Sequence, residues 1–237
     1  MQSQSLKQRL LSTIAASRER EHELLAMCDD SPPPEQEVWT VKDHLAHLTA
    51  WRIYAARVLD AVRTGSELPH VGDDDDEQNA EIYAATHEKL ADDVKEEARS
   101  SYHTLEAALS ACSDEDLTKP HPRAPGALLW QVVPGNGHNH LGQHIMFWHL
   151  EQGDEEAAEA AQQWVYDLDR AEFPEPKSLA ASTYNLGCFY ARVGRVDEAL
   201  FRLRQAFELD PSLKKVAQKD TDLDRIRSEP ELVALIG

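Results

Sequence analysis

Four of the chain's eleven histidines fall in one short stretch, Gly137-His138-Asn139-His140-Leu141-Gly142-Gln143-His144-Ile145-Met146-Phe147-Trp148-His149. On a helix, His140 and His144 stand one turn apart on the same face. At that spacing two imidazoles can ligate a single metal ion. Trp148 follows one turn further along and is expected to wall the pocket, whereas His138 and His149 point elsewhere. A third ligand has to come from a neighbouring helix, and Asp43-His44-Leu45-Ala46-His47-Leu48 supplies two candidates. At about 100° per residue, the apolar side of that helix centres on Val41, Leu48, Ala55 and Leu59. His44 lies nearer this centre and His47 towards one edge. The wheel alone favours His44, yet an edge position can face a neighbour across a cleft, where a ligand must stay reachable. Periodicity leaves both open.

Other chemistries find little support. There is no Ser-His-Asp or Cys-His nucleophile arrangement and no Gly-rich phosphate loop, and the acidic run Asp73 to Asp76 lacks the spacing of an EF-hand. It reads as a solvated loop. With 43 Asp plus Glu against 24 Lys plus Arg, the formal net charge is −19. Such a surface does not grip a phosphate backbone, because that affinity comes from Lys and Arg displacing counterions, and anionic leaflets repel it. Neither nucleic acid nor membrane is expected as a partner. Cys28, Cys112 and Cys188 are scattered and without a CxxC pair, as in reduced intracellular proteins. No apolar run approaches the roughly 20 residues of a membrane span. The first residues lack the apolar stretch of a signal peptide, so the expected location is cytoplasmic.

The elements that must position the histidines are helices throughout. Ala, Leu, Glu, Gln and Arg dominate, β-branched runs are absent, and nothing alternates apolar with polar over six residues. A first helix is expected from about Ser5 to Met27, burying Leu6, Leu10, Ile14, Leu24 and Leu25. It stops before Asp29-Asp30-Ser31 and Pro32-Pro33-Pro34. Thr40, with Asp43 three residues on, forms a variant capping box opening a second helix that ends at Thr64-Gly65. After the acidic loop with Gly72, a third helix is expected from about Asn79 to Ala111, with a break near Leu90-Ala91-Asp92. A fourth is expected from about Gly126 to Leu150, with a break at Pro134-Gly135. Four long helices with short breaks make an all-α four-helix bundle over residues 1–152.

Beyond Gln152-Gly153-Asp154 the character changes. An Ala-rich acidic helix runs from Glu155 to Phe173. Residues 178–211 then carry Tyr184-Asn185-Leu186-Gly187, Tyr190, Gly194, Ala199, Leu203, Ala206 and Asp210-Pro211. This segment resembles one tetratricopeptide repeat (TPR), a helix-turn-helix unit of 34 residues, although Thr183 stands where a large aromatic is usual. Asp220 onward reads as a short closing helix with Leu232 to Ile236 on its apolar side. One repeat cannot bury its own apolar face. Residues 153–237 are therefore expected to be a TPR-like helical region serving as a structural or homodimerisation element, with a groove for a protein partner as the alternative.

A resemblance decides between the histidines of the second helix. Trp39-Thr40-Val41-Lys42-Asp43-His44-Leu45-Ala46-His47-Leu48-Thr49-Ala50-Trp51 is similar to the second helix of the DinB-like four-helix bundle superfamily, whose Leu-x-His-Leu element carries the first metal ligand. Asn136-Gly137-His138-Asn139-His140-Leu141-Gly142-Gln143-His144 resembles the fourth-helix segment of its ClbS/DfsB branch, with His138 where an aromatic is more usual. Asn79-Ala80-Glu81-Ile82-Tyr83 resembles the Asn-bearing start of the third helix in that branch. The resemblance implies His47, His140 and His144 as a metal triad. Three neutral imidazoles suit Zn²⁺, Ni²⁺ or Fe²⁺ and leave a coordination position open. It also implies action on a reactive small-molecule substrate, by metal-activated water or by transfer of a low-molecular-weight thiol, of a detoxification or stress type. The alternatives are a protein-interaction module built on the TPR-like region and a metal-independent ClbS/DfsB-like resistance protein.

Overall fold

The computed structural model describes residues 4–33, 38–70 and 75–237, with the side chains of Asp75 and Asp76 left aside. Pro34 of the expected stop and Gly72, Asp73 and Asp74 of the acidic loop lie outside the described residues. The fold is all-α, with no strand among the described residues and a single isolated bridge between Pro120 and Leu128. No described helix is long and apolar enough to cross a membrane. The chain divides into two units, Met1–His144 and Ile145–Gly237.

In the first unit, α1 spans Leu6–Met27 and opens with a capping box, Ser5 accepting from the Gln8 amide while the Gln8 side chain accepts from the Ser5 amide. Helix α2 spans Val41–Thr64. At its start the Asp43 amide donates to Thr40 Oγ1 (3.2 Å) and the Thr40 amide donates to Asp43 Oδ2 (2.8 Å), satisfying two backbone donors that a helix end otherwise leaves open. It ends at Gly65 in the left-handed region (φ +70°), where a Cβ would be disfavoured. Both boundaries follow the sequence expectation.

Helix α3 runs Asp75–Thr86 and α4 runs Ala91–Ala111. The third helical stretch is thus interrupted as expected, just ahead of Leu90-Ala91. It starts four residues earlier than expected, because Asp75 and Asp76 are already helical. Acidic residues suit a first helical turn, where the helix dipole favours negative charge. A four-residue helix, α5 (Asp114–Leu117), precedes the surface connection.

The fourth helix is more segmented than its sequence suggests. It begins with a 3₁₀ turn at Leu129–Gln131, continues as α6 (Val132–Pro134) and a π-type turn at Gly135–Asn139, and becomes regular only in α7 (His140–Glu151). Gly137 leaves helical geometry altogether (φ −103°, ψ −116°). The first unit's core is formed by Leu10, Ile14 and Leu24 of α1, Leu45, Leu48, Val58 and Leu59 of α2, Val94, Leu105 and Leu109 of α4, and Leu129, Val133 and Leu141. Leu6 and Leu25, expected in that core, are half-buried.

Within the core lies a charged pair. Arg52 and Glu21 are 1 % and 0 % exposed, and Arg52 Nη1 and Nη2 donate to the two Glu21 carboxylate oxygens at 2.5 and 3.0 Å. Arg52 Nε donates to Ser101 Oγ (2.8 Å), and the Tyr102 hydroxyl donates to Glu21 Oε2 (3.0 Å). Every charged atom is answered, the condition under which a buried ion pair is tolerated.

In the second unit, α8 (Glu155–Glu172), α9 (Pro176–Val193) and α10 (Val196–Leu209) are followed by α11 (Leu213–Ala217), a 3₁₀ turn at Thr221–Ile226 and α12 (Pro230–Ile236). Helix α9 packs against α8, α10 and the 3₁₀ turn. Its approach to α10 depends on Gly187, where a Cβ would meet Leu203 Cγ at 3.0 Å. The Tyr190 hydroxyl donates to Glu159 Oε1 (2.8 Å), tying α9 to α8. All three cysteines are free and buried.

Candidate metal centre

Helices α2 and α7 bring four histidines together. His47 Nε2 lies 3.1 Å from His140 Nε2, and His140 Nε2 lies 3.0 Å from His144 Nε2. One ring nitrogen from each of the three falls within 4.8 Å of the others. Three nitrogens converging on one point cannot all be satisfied by each other, since a neutral imidazole carries one N–H. A tetrahedral ion with metal–nitrogen bonds of about 2.0–2.1 Å holds its ligand nitrogens about 3.3–3.4 Å apart. The observed separations at His140 need to open by only a few tenths of an ångström to meet that. The residues fit a metal of this kind.

His44 takes a different place. Its Nδ1 lies 2.7 Å from His144 Nδ1, so it meets His144 on the nitrogen opposite the convergence. If His144 offers a lone pair at Nε2, its proton sits on Nδ1 and is donated to His44 Nδ1. The wheel placed His44 nearest the apolar centre, and His44 is indeed buried, as is His47. Both face the fourth helix at different depths. His140 is half-buried, and like His47 it lines the neighbouring cavity.

Burial, the largest effect in each case, lowers the basicity of all four rings. His44 falls to about 4, with Asp43 opposing the shift. His47 falls to about 3, with His140 and His44 adding to it. His140 falls to about 4, with further lowering from the Arg52 guanidinium and His44. His144 lies well below the ordinary imidazole value, from burial and its three histidine neighbours. All four are therefore neutral at pH 7, the form in which imidazole binds metals.

Aromatic rings enclose the group. Trp39 stacks on His144 (centroids 6.0 Å apart, 20° between planes) and on Tyr83 (6.2 Å, 15°), and lies 5.1 Å from His47. Trp51 lies edge-on to both His47 (6.2 Å) and His140 (6.3 Å), and its Nε1 donates to Asn79 Oδ1 at 3.3 Å. A cavity of about 260 Å³ opens beside the histidines, lined by His47, Trp51, Asn79, Gly135, Asn136 and His140. Trp148, expected as a wall, belongs to the second unit, and His138 is buried outside the converging group.

Sequence reasoning weighed His44 as a ligand, not as a partner behind His144, and assigned no role to Trp39 or Trp51. The signal available for them was their place in the quoted second-helix segment. Asn79 and Tyr83 reach the site from α3. The family model of the DinB superfamily matches residues 28–153, a stretch containing all four histidines and both tryptophans. No curated protein and no solved structure gives a significant match. The bundle and the matched stretch, which covers more than half of the sequence, agree: the chain belongs to the DinB superfamily.

Proposed function

We propose that His47, His140 and His144 hold a divalent transition metal, Zn²⁺, Ni²⁺ or Fe²⁺, at a centre acting on a reactive small molecule. The observation that carries this is the convergence of three neutral ring nitrogens, with His44 meeting His144 from behind. Metal-binding members of the superfamily support it. A bound metal would supply Lewis acidity, lowering the pKa of a water or thiol in its open position.

The chain's own residues then have separable tasks. His44 fixes the proton of His144 on Nδ1 and so aims Nε2 inward. Trp39 and Trp51 restrict water around the rings, while Asn79 and Asn136 bring amides to the cavity. Asn136 Nδ2 donates to Val132 O (3.0 Å), which leaves its side-chain oxygen for a ligand. No described residue lining the cavity is a carboxylate or a lysine. A bound metal would ionise a water or a thiol there, serving hydrolysis or transfer of a low-molecular-weight thiol alike. The reading is of a DinB-like metalloprotein of a detoxification or stress type, working in the cytoplasm.

The test is metal analysis of protein purified without a nickel column, followed by titration with Zn²⁺, Ni²⁺ and Fe²⁺. About one equivalent bound by the wild type and none by His140→Ala is the expected result. Wild type that neither carries nor takes up metal overturns it, and retained protection against an electrophile by His140→Ala would favour a metal-independent resistance protein instead.

A second reading concerns residues 153–237. The close approach of α9 to α10 at Gly187 and Leu203 favours a TPR-like pair. We assign it a structural or homodimerising role, with a protein partner as the alternative. Pull-down and mass measurement on the full chain and a 1–152 truncation separate the two.

A further inference from the structure

Trp51 lines two cavities. Besides the one at the histidines, a second of about 280 Å³ is lined by Trp51, Ile53, Tyr54, Pro69 and Ile82, with Arg57 among the polar residues at its edge. That volume is close to the roughly 300 Å³ at which small-molecule sites begin. Its walls are largely apolar and aromatic, so it suits a compact hydrocarbon or aryl group.

The described lining holds one permanent charge, Arg57. In a protein of net charge −19, no described residue lining this cavity is acidic. Arg57 is exposed and pairs with no described carboxylate. A second guanidinium stands close by. Arg123 Nη1 donates to the Tyr54 hydroxyl (3.2 Å) and Nη2 to Pro69 O (2.6 Å), which braces two of the walls. Arg123 is thereby committed to protein groups, whereas Arg57 keeps its donors. A guanidinium fork matches a carboxylate in geometry and charge. One free guanidinium balances one carboxylate, whereas a phosphate dianion in so acidic a protein calls for more.

We infer that this cavity holds the apolar body of a small organic acid, with its carboxylate on Arg57, and that Trp51 divides this anchored end from the end presented to His140. The inference rests on reading His47, His140 and His144 as the reaction centre. Trp51 is well placed to act as the divider, because its Nε1 is held by Asn79 Oδ1 and its ring lies against Tyr54 (centroids 5.3 Å apart).

The experiment is calorimetric titration of the full chain with 3-phenylpropionate and with the neutral 3-phenylpropionamide, metal uptake being measured on the same samples. The acid is expected to bind at least tenfold more tightly than the amide. Arg57→Ala should remove that preference, and Ile82→Trp, which fills the cavity, should abolish binding of both. His140→Ala should keep the acid preference while losing metal. No binding of the acid, equal binding of acid and amide, or an undiminished preference in Arg57→Ala overturns the subsite. Wild type that takes up metal yet does not select the acid loses the subsite and keeps the metal centre. Selection of the acid without metal uptake does the reverse, leaving an anion-binding cavity without that reaction centre.

Discussion

His44 and His144 meet through their Nδ1 atoms at 2.7 Å, on the side of His144 away from His47 and His140. One ring therefore orients another, and the orienting ring lies on the same helix as His47, three residues before it. Outer partners of this kind typically contribute 10- to 100-fold to metal affinity. His44→Leu is accordingly expected to weaken metal binding by about one to two orders of magnitude, while His140→Ala abolishes it. Competition titration against a chelator of known affinity distinguishes the two; equal losses would place His44 among the ligands themselves.

Acid should destabilise the metal-free protein earlier than its carboxylates alone dictate. His44, His47 and His140 have folded-state values of about 4, 3 and 4, against about 6.5 for an unfolded histidine. Because the folded values are depressed, the stability they contribute is complete above pH 6.5 and is lost as pH falls towards 4. The urea midpoint of wild type should thus drop between pH 7 and pH 5, and His47→Asn should flatten the drop. A wild-type midpoint unchanged over that range would contradict the burial of neutral rings.

The Arg52–Glu21 pair should be costly to break from one side. Glu21→Gln leaves the fully buried guanidinium without its counter-charge, and a loss of about 3–5 kcal/mol is expected. Replacing both partners, as Glu21→Leu with Arg52→Met, should recover most of that loss, because no unpaired charge remains. Chemical unfolding of the three proteins tests this, and a double variant as weak as the single one counts against it.

In the second unit, Gly187→Val should destabilise by about 1–3 kcal/mol through overpacking. Its Cβ would meet Leu203 Cγ at 3.0 Å and the Leu203 amide nitrogen at 3.3 Å, and the backbone cannot rotate out of the way as a side-chain tip can. Thermal unfolding of the full chain measures it. An unchanged melting temperature would mean that α9 and α10 approach less closely.

What the sequence determined by itself was local. Caps and breaks are made by residues adjacent in the chain, so Ser5, the Thr40/Asp43 box and the Thr64-Gly65 stop could be read directly, and α1 and α2 begin and end there. The His140/His144 pair was legible for the same reason, since one helical turn fixes its spacing. The start of α3 and the segmented fourth helix were less so. Both depend on how far a weak helical preference extends, and Gly137 is compatible with a helix or a kink until its neighbours are in place.

Tertiary structure decided the roles. A helical wheel ranks His44 and His47 by their angle to the apolar side, and both prove buried. It cannot say which nitrogen of which ring meets His140 and which meets the back of His144, because that depends on the depth and rotation of a second helix. The same holds for Arg52 and Glu21, 31 residues apart, whose pairing is invisible until α1 and α2 pack. The acidic balance of −19 was legible from composition alone. That it leaves Arg57 beside an apolar cavity behind Trp51 is a matter of three-dimensional placement, since a net charge carries no information about where the cations sit.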